Sequence, residues 1–449
     1  MSYKPVGITE SSIFPPRVEN RITKGASDSG LLSQRALNSL GGVIGTSGKP
    51  VICLRVDDWQ DHLQAGYEAK FRTRGLPWGH ATIARRGSQP WFTVATWENL
   101  RGWAKNGCEF WSHGTDHKDP RITDGATAQP VPGTVNGMYD QIVNSKALIE
   151  AEGLKCKGWF NPGPSNAFPA DGAPYWPDAN TEWSDYDSLA GRLITGTYGF
   201  SEGFQAGGPT RLLPNRLYHG LNHYTVLTPG VTPAVVTSVI DKFATGHYPG
   251  TGMQILIHTA YVDNPDASEF TEADFDAMLD HLVTLWDSGA IEIVTPAAMM
   301  AADPTSSHRL DLMGTQGDVA GLPVGHGWTL LSGTTVASDG TDTYFSATGA
   351  GARWQARNLA SLDLAGETWL FDGWARSATA SPTTASVTWA DSVDGDVLNE
   401  TRTQVIPGNT WTRVRFALGT PPATSHAYFT VGKSSGDTIH WKSAHVYKV

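Results

Sequence analysis

The chain has 449 residues, 40% hydrophobic and 17% charged, with a formal net charge of −11. This length exceeds one ordinary core and predicts two or three domains, and the composition excludes a chain that is disordered throughout. The acidic balance comes without a basic run, which argues against nucleic acid as a partner, and no stretch approaches the roughly 18 apolar residues of a membrane span.

Residues 1–48 are polar and broken by Pro15, Pro16 and several glycines, with one short helical pattern around Leu31–Leu40. They read as an extended arm for attachment or oligomerisation. Their start also lacks the apolar centre of a secretory signal, so no export address is expected.

From Val51 the pattern becomes apolar strands alternating with amphipathic helices, which predicts an α/β domain over residues 49–303. The strands expected are VICLRVDD, GHATIA, CEFWSHG, CKGWFNPG, RLITGTYGF, LYHGLNHYTV, GMQILIHT and IEIVTP. Helices are expected at TWENLRGWAKNG, NGMYDQIVNSKALIEAEG, TPAVVTSVIDKFATG and TEADFDAMLDHLVTLWDSG, with threonine at their starts and glycine at their ends. In the last of these, Phe275, Met278, Leu279, Leu282, Leu285 and Trp286 recur at helical spacing and form one core-facing stripe. The thiols of Cys53, Cys108 and Cys156 sit in apolar runs and read as buried, reduced and inert.

After a linker at 304–325, residues 326–449 lose helical periodicity, and Thr, Ser, Gly and Trp dominate. Runs such as TWLFDGWAR, ASVTWADS, WTRVRFAL and HAYFTVGK predict an antiparallel β-sandwich, and the Ser/Ala/Thr cluster at 377–386 reads as a long loop. This segment carries Trp328, Trp354, Trp369, Trp374, Trp389, Trp411 and Trp441. Most of these belong in a core. The remainder could stack on sugar rings, which suggests a carbohydrate-binding module of jelly-roll type, with a docking domain as the alternative.

The chemistry-bearing residues fall at predicted strand ends. Asp57 and Asp58 close the first strand, His113 and His117 stand four apart after CEFW, and His258 ends QILIH. Two imidazoles and a carboxylate suit a divalent ion, and an α/β domain gathers its site where its strands end. Each feature alone has a structural reading too: adjacent acids also make turns and helix caps, and a histidine pair can simply pack.

In this order the motifs resemble the polysaccharide deacetylases of carbohydrate esterase family four. RVDDW resembles the family's Thr-Phe-Asp-Asp motif, and GCEFWSHGTDHKD its Gly-x-Glu-Ile-Gly-x-His-x-x-x-His motif. GWFNPG resembles its Arg-x-Pro motif, QILIHT its Leu-x-His motif, and IEIVTPAAMM its closing strand and helix. The resemblance spans about Val51 to Ala302 and implies a distorted (β/α) barrel, so the fold expected is that barrel followed by an all-β jelly-roll sandwich. It implies Asp58, His113 and His117 as metal ligands, with Zn2+ the expected ion, Asp57 as general base and His258 as general acid. A backbone N–H near Trp159 or Phe160 would help hold the oxyanion.

Three departures stand out. Asn161 replaces the arginine that braces the base in the family, Gly114 replaces the usual Ser or Thr, and only Asp185 and Asp187 suggest themselves as partners for His258. Trp59, Trp111, Trp159 and Asn161 are candidate walls of a substrate groove, whereas His62, His80, His219 and His223 read as structural.

The function expected is removal of acetyl groups from a bacterial surface polysaccharide or peptidoglycan. A phage tail protein carried on the virion, working as a homo-oligomer, most simply a trimer, beside other tail proteins, would reconcile a wall-directed enzyme with the absence of an export signal; a secreted enzyme is the alternative setting. A tail protein that binds wall glycan without hydrolysing it is the competing function, and Asn161 is the residue that favours it.

Overall fold

The structure is a computed structural model, and it describes residues 42–58, 66–85, 95–117, 139–160, 162, 193–194, 196–198, 200–201, 205–206, 210–213, 222–228, 230–266, 268–313, 328–349, 351–356, 365–391, 399–420 and 426–449. The expected arm lies outside the described residues as far as residue 41, as do Trp59, His62, Asn161, Asp185, Asp187 and His219. Two compact units emerge, with the main boundary between His308 and Arg309. No helix among the described residues is long and apolar enough to cross a membrane.

The first unit opens with β1 (Ile44–Gly45) and β2 (Val51–Asp57). All seven residues of β2 are buried, which a strand achieves only when covered on both faces, as in a parallel sheet flanked by helices. There follow α1 (Glu68–Thr73), β3 (Trp78–Thr82), α2 (Trp97–Lys105), β4 (Cys108–Ser112), α3 (Ser145–Ala151) and β5 (Cys156–Trp159). Next come β6 (Phe200–Ser201), β7 (Gln205–Ala206), β8 (Thr210–Arg211), β9 (Asn222–Thr225), α4 (Pro233–Ala244) and β10 (Thr251–Ile257). The unit closes with α5 (Glu272–Asp287), β11 (Glu292–Val294), α6 (Pro296–Met300) and β12 (Ala302–Asp303).

Helix starts follow their caps. Thr232 accepts from the Val235 N–H with Pro233 just inside α4, and Thr271 forms a reciprocal capping box with Asp274 at α5, each device stabilising its helix by about 1 kcal/mol. The apolar stripe of α5 buries Phe275, Met278, Leu279, Leu282 and Trp286.

The strand order is β6-β5-β4-β3-β2-β10-β9-β7, with β11 added to β2 and β8 to β10. Pairing is parallel throughout except for β8, which runs antiparallel to β10. The distorted (β/α) barrel expected here is therefore corrected. A barrel needs every strand hydrogen-bonded on both sides and tilted to a common shear. Here the sheet is open: β6 pairs β5, β7 pairs β9, and neither pairs the other among the described residues. β1 and β12 form a separate two-stranded sheet. The described residues of this unit hold six α-helices against twelve strands, with no helix among the described residues between β6 and β9. The segment RLITGTYGF, expected as a strand, is helical at 193–194 and 196–197 and extended only from Phe200.

The second unit holds β13 (Trp328–Leu330), β14 (Thr334–Ser338), β15 (Thr343–Ala347), β16 (Ala352–Ala356), β17 (Thr368–Ser377), β18 (Thr383–Ala390), β19 (Asn399–Ile406), β20 (Thr412–Gly419), β21 (Ala427–Ser435) and β22 (Ile439–Lys448). They form two antiparallel five-stranded sheets, β13-β16-β21-β18-β19 and β14-β15-β22-β17-β20. Both sheets contribute to one core, in which Trp354, Trp389 and Phe429 of the first join Trp369, Phe371, Trp441 and Val446 of the second. The long loop expected at 377–386 is short instead. Thr383–Ala390 alternates buried and partly exposed residues as β18, because Thr and Ala at period two suit a pleated surface despite looking like loop composition.

Candidate metal centre

Three strand ends supply the site. β2 delivers Asp57 and then Asp58, β4 delivers His113 through His117, and β10, the parallel neighbour of β2, delivers His258. Successive strand residues point to opposite faces, so Asp57 and Asp58 can converge only if the chain turns between them. It does: Asp58 has a φ of 66°. His117 has a φ of 55°, and Gly114 makes the same left-handed turn at 82°. Two of the five described non-glycine residues with positive φ thus belong to this one cluster, as left-handed backbone at functional sites commonly does.

Asp58 Oδ1 lies 3.0 Å from His113 Nε2 and 3.1 Å from His117 Nε2, and Asp58 Oδ2 lies 3.5 Å from His258 Nε2. Asp58, His113 and His117 each offer a ligand atom, all within 4.8 Å of one another. Asp58 Oδ1 is buried and accepts no well-aligned hydrogen bond, though two ring nitrogens lie within 3.1 Å of it. That donor set fits a divalent ion such as zinc. His113 donates from Nδ1 to the Phe160 carbonyl oxygen at 3.1 Å, which leaves Nε2 turned inward.

The electrostatics follow from burial and proximity. Burial pushes the Asp58 carboxyl up, but His117, His113 and His258 together hold it well below the usual range. Burial likewise pushes Asp57 up, and Arg55 and His113 more than offset it, leaving the group below its ordinary value. His117 and His258 are lowered by burial and raised further by Asp58, ending above the ordinary imidazole value. His80 is buried, bonds Thr82 Oγ1 through Nδ1 at 2.8 Å, and is pushed down to about 3 by burial, which keeps it neutral.

The sequence missed the residues that hold this centre in shape. Arg55 meets Asp57 with both forks, Nε to Oδ1 at 2.5 Å and Nη2 to Oδ2 at 2.6 Å. Its available signal was an arginine two positions before an aspartate inside an otherwise apolar strand, hence on the same face. The loop after β4 is tied down without a hydroxyl at position 114. Arg85 bonds Asp116 and Asp140, Thr115 Oγ1 donates to both carboxylates, and Gln141 donates to Asp116 Oδ2 at 3.2 Å.

Two groove walls are corrected. Trp111 and Trp159 are fully buried. The Trp111 ring stacks on Phe160 at 4.2 Å, donates to Glu109 Oε1 and lies against Gly158, where a Cβ would sit 2.5 Å from it. It is core that supports the site. Nor is the Phe160 N–H open to an oxyanion, since it donates to the Ser112 carbonyl at 2.9 Å. The carboxylate facing His258 is Asp58 itself, and His258 Nδ1 has no partner among the described residues. The three cysteines are buried and form no disulfide, and burial pushes Cys156 up to about 12, which makes it inert as expected.

No family model matches the chain, and no curated protein matches it. Among solved structures the chain is similar to the CBM22-1 xylan-binding domain from Paenibacillus barcinonensis Xyn10C, at 12% identity over 32% of this chain and 97% of that one, with a TM-score of 0.25. It is similar also to the C-terminal family 22 carbohydrate binding module of Clostridium thermocellum Xyn10B, at 17% identity over 29% and 91% of the two chains, with a TM-score of 0.24.

Proposed function

We propose that the chain binds a glycan and that its first unit is a metal-dependent hydrolase removing acetyl groups from it. The observation that carries the reading is the convergence of Asp58, His113 and His117 on one point, with Asp57 beside it and His258 across the Asp58 carboxylate. Asp58, His113 and His117 would hold the ion. Zinc bound there would polarise the substrate carbonyl and acidify water. Asp57, held by Arg55, is suited to take a proton from the attacking water, and His258, whose Nε2 lies 3.5 Å from Asp58 Oδ2, is suited to give one from Nε2 to the leaving nitrogen or oxygen. The motif resemblance supports acetyl groups on sugars as the substrate class.

Glycan binding has a separate basis in the second unit. Five of its seven tryptophans are buried, but Trp374 on β17 is 37% exposed, with Lys442 Nζ 5.9 Å from its ring and Trp411 beside that lysine. An exposed indole beside a cation suits stacking on a sugar ring. This feature equally supports the second reading, a glycan-binding protein without hydrolytic activity.

Acetate release from acetylated wall glycans, measured with zinc-loaded and chelated protein, separates the two. Zinc-dependent release is expected. Retention on the glycan with no release under either condition would leave only the binding reading. Trp374→Ala should weaken retention, and unchanged retention would remove that tryptophan from it.

A further inference from the structure

We infer that Arg55 is the positioning residue for Asp57, fixing the carboxylate in the orientation from which it takes the water's proton; this role rests on the hydrolase reading above. Residues 55 and 57 of β2 share a face, so the guanidinium arrives from the aspartate's own strand. The two parallel bonds, at 2.5 and 2.6 Å, set both the distance and the plane of the carboxylate. Each oxygen keeps a second lone pair for water.

The guanidinium is itself held on further sides. Nη1 donates to Gln254 Oε1 on β10 at 3.2 Å, and the guanidinium carbon lies 3.9 Å from the centroid of the Phe160 ring, which is backed by Trp111 at 4.2 Å. Phe160 also receives the Nδ1 bond of His113 through its carbonyl oxygen. One residue therefore fixes both the arginine that orients the base and a histidine of the metal centre. Arg55 is 3% exposed, so bulk water does not compete for these bonds. Lysine cannot reproduce the arrangement, because an ammonium lacks both the planar fork and the face that stacks on Phe160.

The test is a double-mutant cycle on steady-state kinetics with bound zinc measured throughout. Arg55→Lys keeps the charge and is expected to lower kcat by about 10- to 100-fold, as loss of an orienting partner does, with KM and zinc content unchanged. In an Asp57→Asn background the same change should cost less than about threefold, since no carboxylate remains to be oriented. If Arg55→Lys does not fold, Gln254→Met removes only the Nη1 tether and should lower kcat severalfold at constant KM. A merely structural Arg55 would lower the thermal midpoint and leave kcat intact. Full kcat in the folded variant, or losses that multiply in the double variant, overturns the positioning role alone. A wild-type protein that binds zinc yet releases no acetate overturns the hydrolase reading and this role with it.

Discussion

His113 and Phe160 share a hydrogen bond of 3.1 Å, from the imidazole Nδ1 to the backbone carbonyl oxygen, and it decides which ring nitrogen faces Asp58. With a proton held at Nδ1, Nε2 is the ring nitrogen left to meet a cation. The backbone of Phe160 is in turn fixed by its own N–H bond to Ser112, the residue before His113.

From this follows the first prediction, on metal content. Asp58→Ala, His113→Ala and His117→Ala each delete one of three donors, and each should weaken zinc binding by more than the about 10- to 100-fold that loss of an orienting partner costs. Competition against a chelator of known affinity measures it. Full zinc retention by all three variants would refute the ligand set.

Asp57→Asn and His258→Ala should keep their zinc and lose about 100-fold or more in kcat, the usual contribution of a proton-transferring group. The two must be read together with metal content, because Asp57 Oδ2 lies 4.0 Å from His113 Nε2 and His258 Nε2 lies 3.5 Å from Asp58 Oδ2. Unchanged turnover in both variants means that neither group moves the proton.

How much of this site could be read beforehand depends on range. Strand ends were legible, because β2, β4 and β10 are apolar runs and the residues that follow them are polar, so Asp58, His113, His117 and His258 could be picked out. Whether the sheet closes was not, since closure depends on tilt and on pairing between strands such as β6 and β7, and neither leaves a trace in local periodicity. Arg55 is not legible, because an arginine in a buried strand makes sense only with its partners in view, Gln254 coming from 199 residues away. Trp111 misleads for the opposite reason: its neighbours in sequence are site residues, yet its ring is buried in the core.

His80 gives a prediction on pH. Its folded value is pushed from 6.5 down to about 3, so between those values the unfolded chain binds a proton that the folded chain refuses. Its contribution is complete above about pH 6.5 and is lost as the pH falls towards 3, with a slope approaching about 1.4 kcal/mol per pH unit. In chelated protein, His80→Leu should flatten the stability profile by up to that amount in this window. Urea denaturation at several pH values checks it, and identical slopes in the two proteins would show that His80 titrates normally.

The last prediction concerns Gly114. The deacetylase motif that this segment resembles carries Ser or Thr there, so adding a hydroxyl looks like an improvement. The structure argues the reverse. Gly114 has a φ of 82°, a left-handed conformation that costs a residue with a side chain about 1–2 kcal/mol. An added Cβ would also stand 2.8 Å from Gln141 Oε1, and Gln141 is fully buried, accepting from the Asp116 N–H and donating to Asp116 Oδ2. To admit the new side chain, Gln141 must move, and the network from Arg85 through Asp116 and Asp140 that shapes the turn to His117 must loosen with it. Gly114→Ser should therefore lower the thermal midpoint by several degrees and weaken zinc binding, the second because His117 loses its fixed approach. A Gly114→Ser protein with undiminished stability and tighter zinc binding would mean that a hydroxyl at this position, and not the buried network, is what the loop uses.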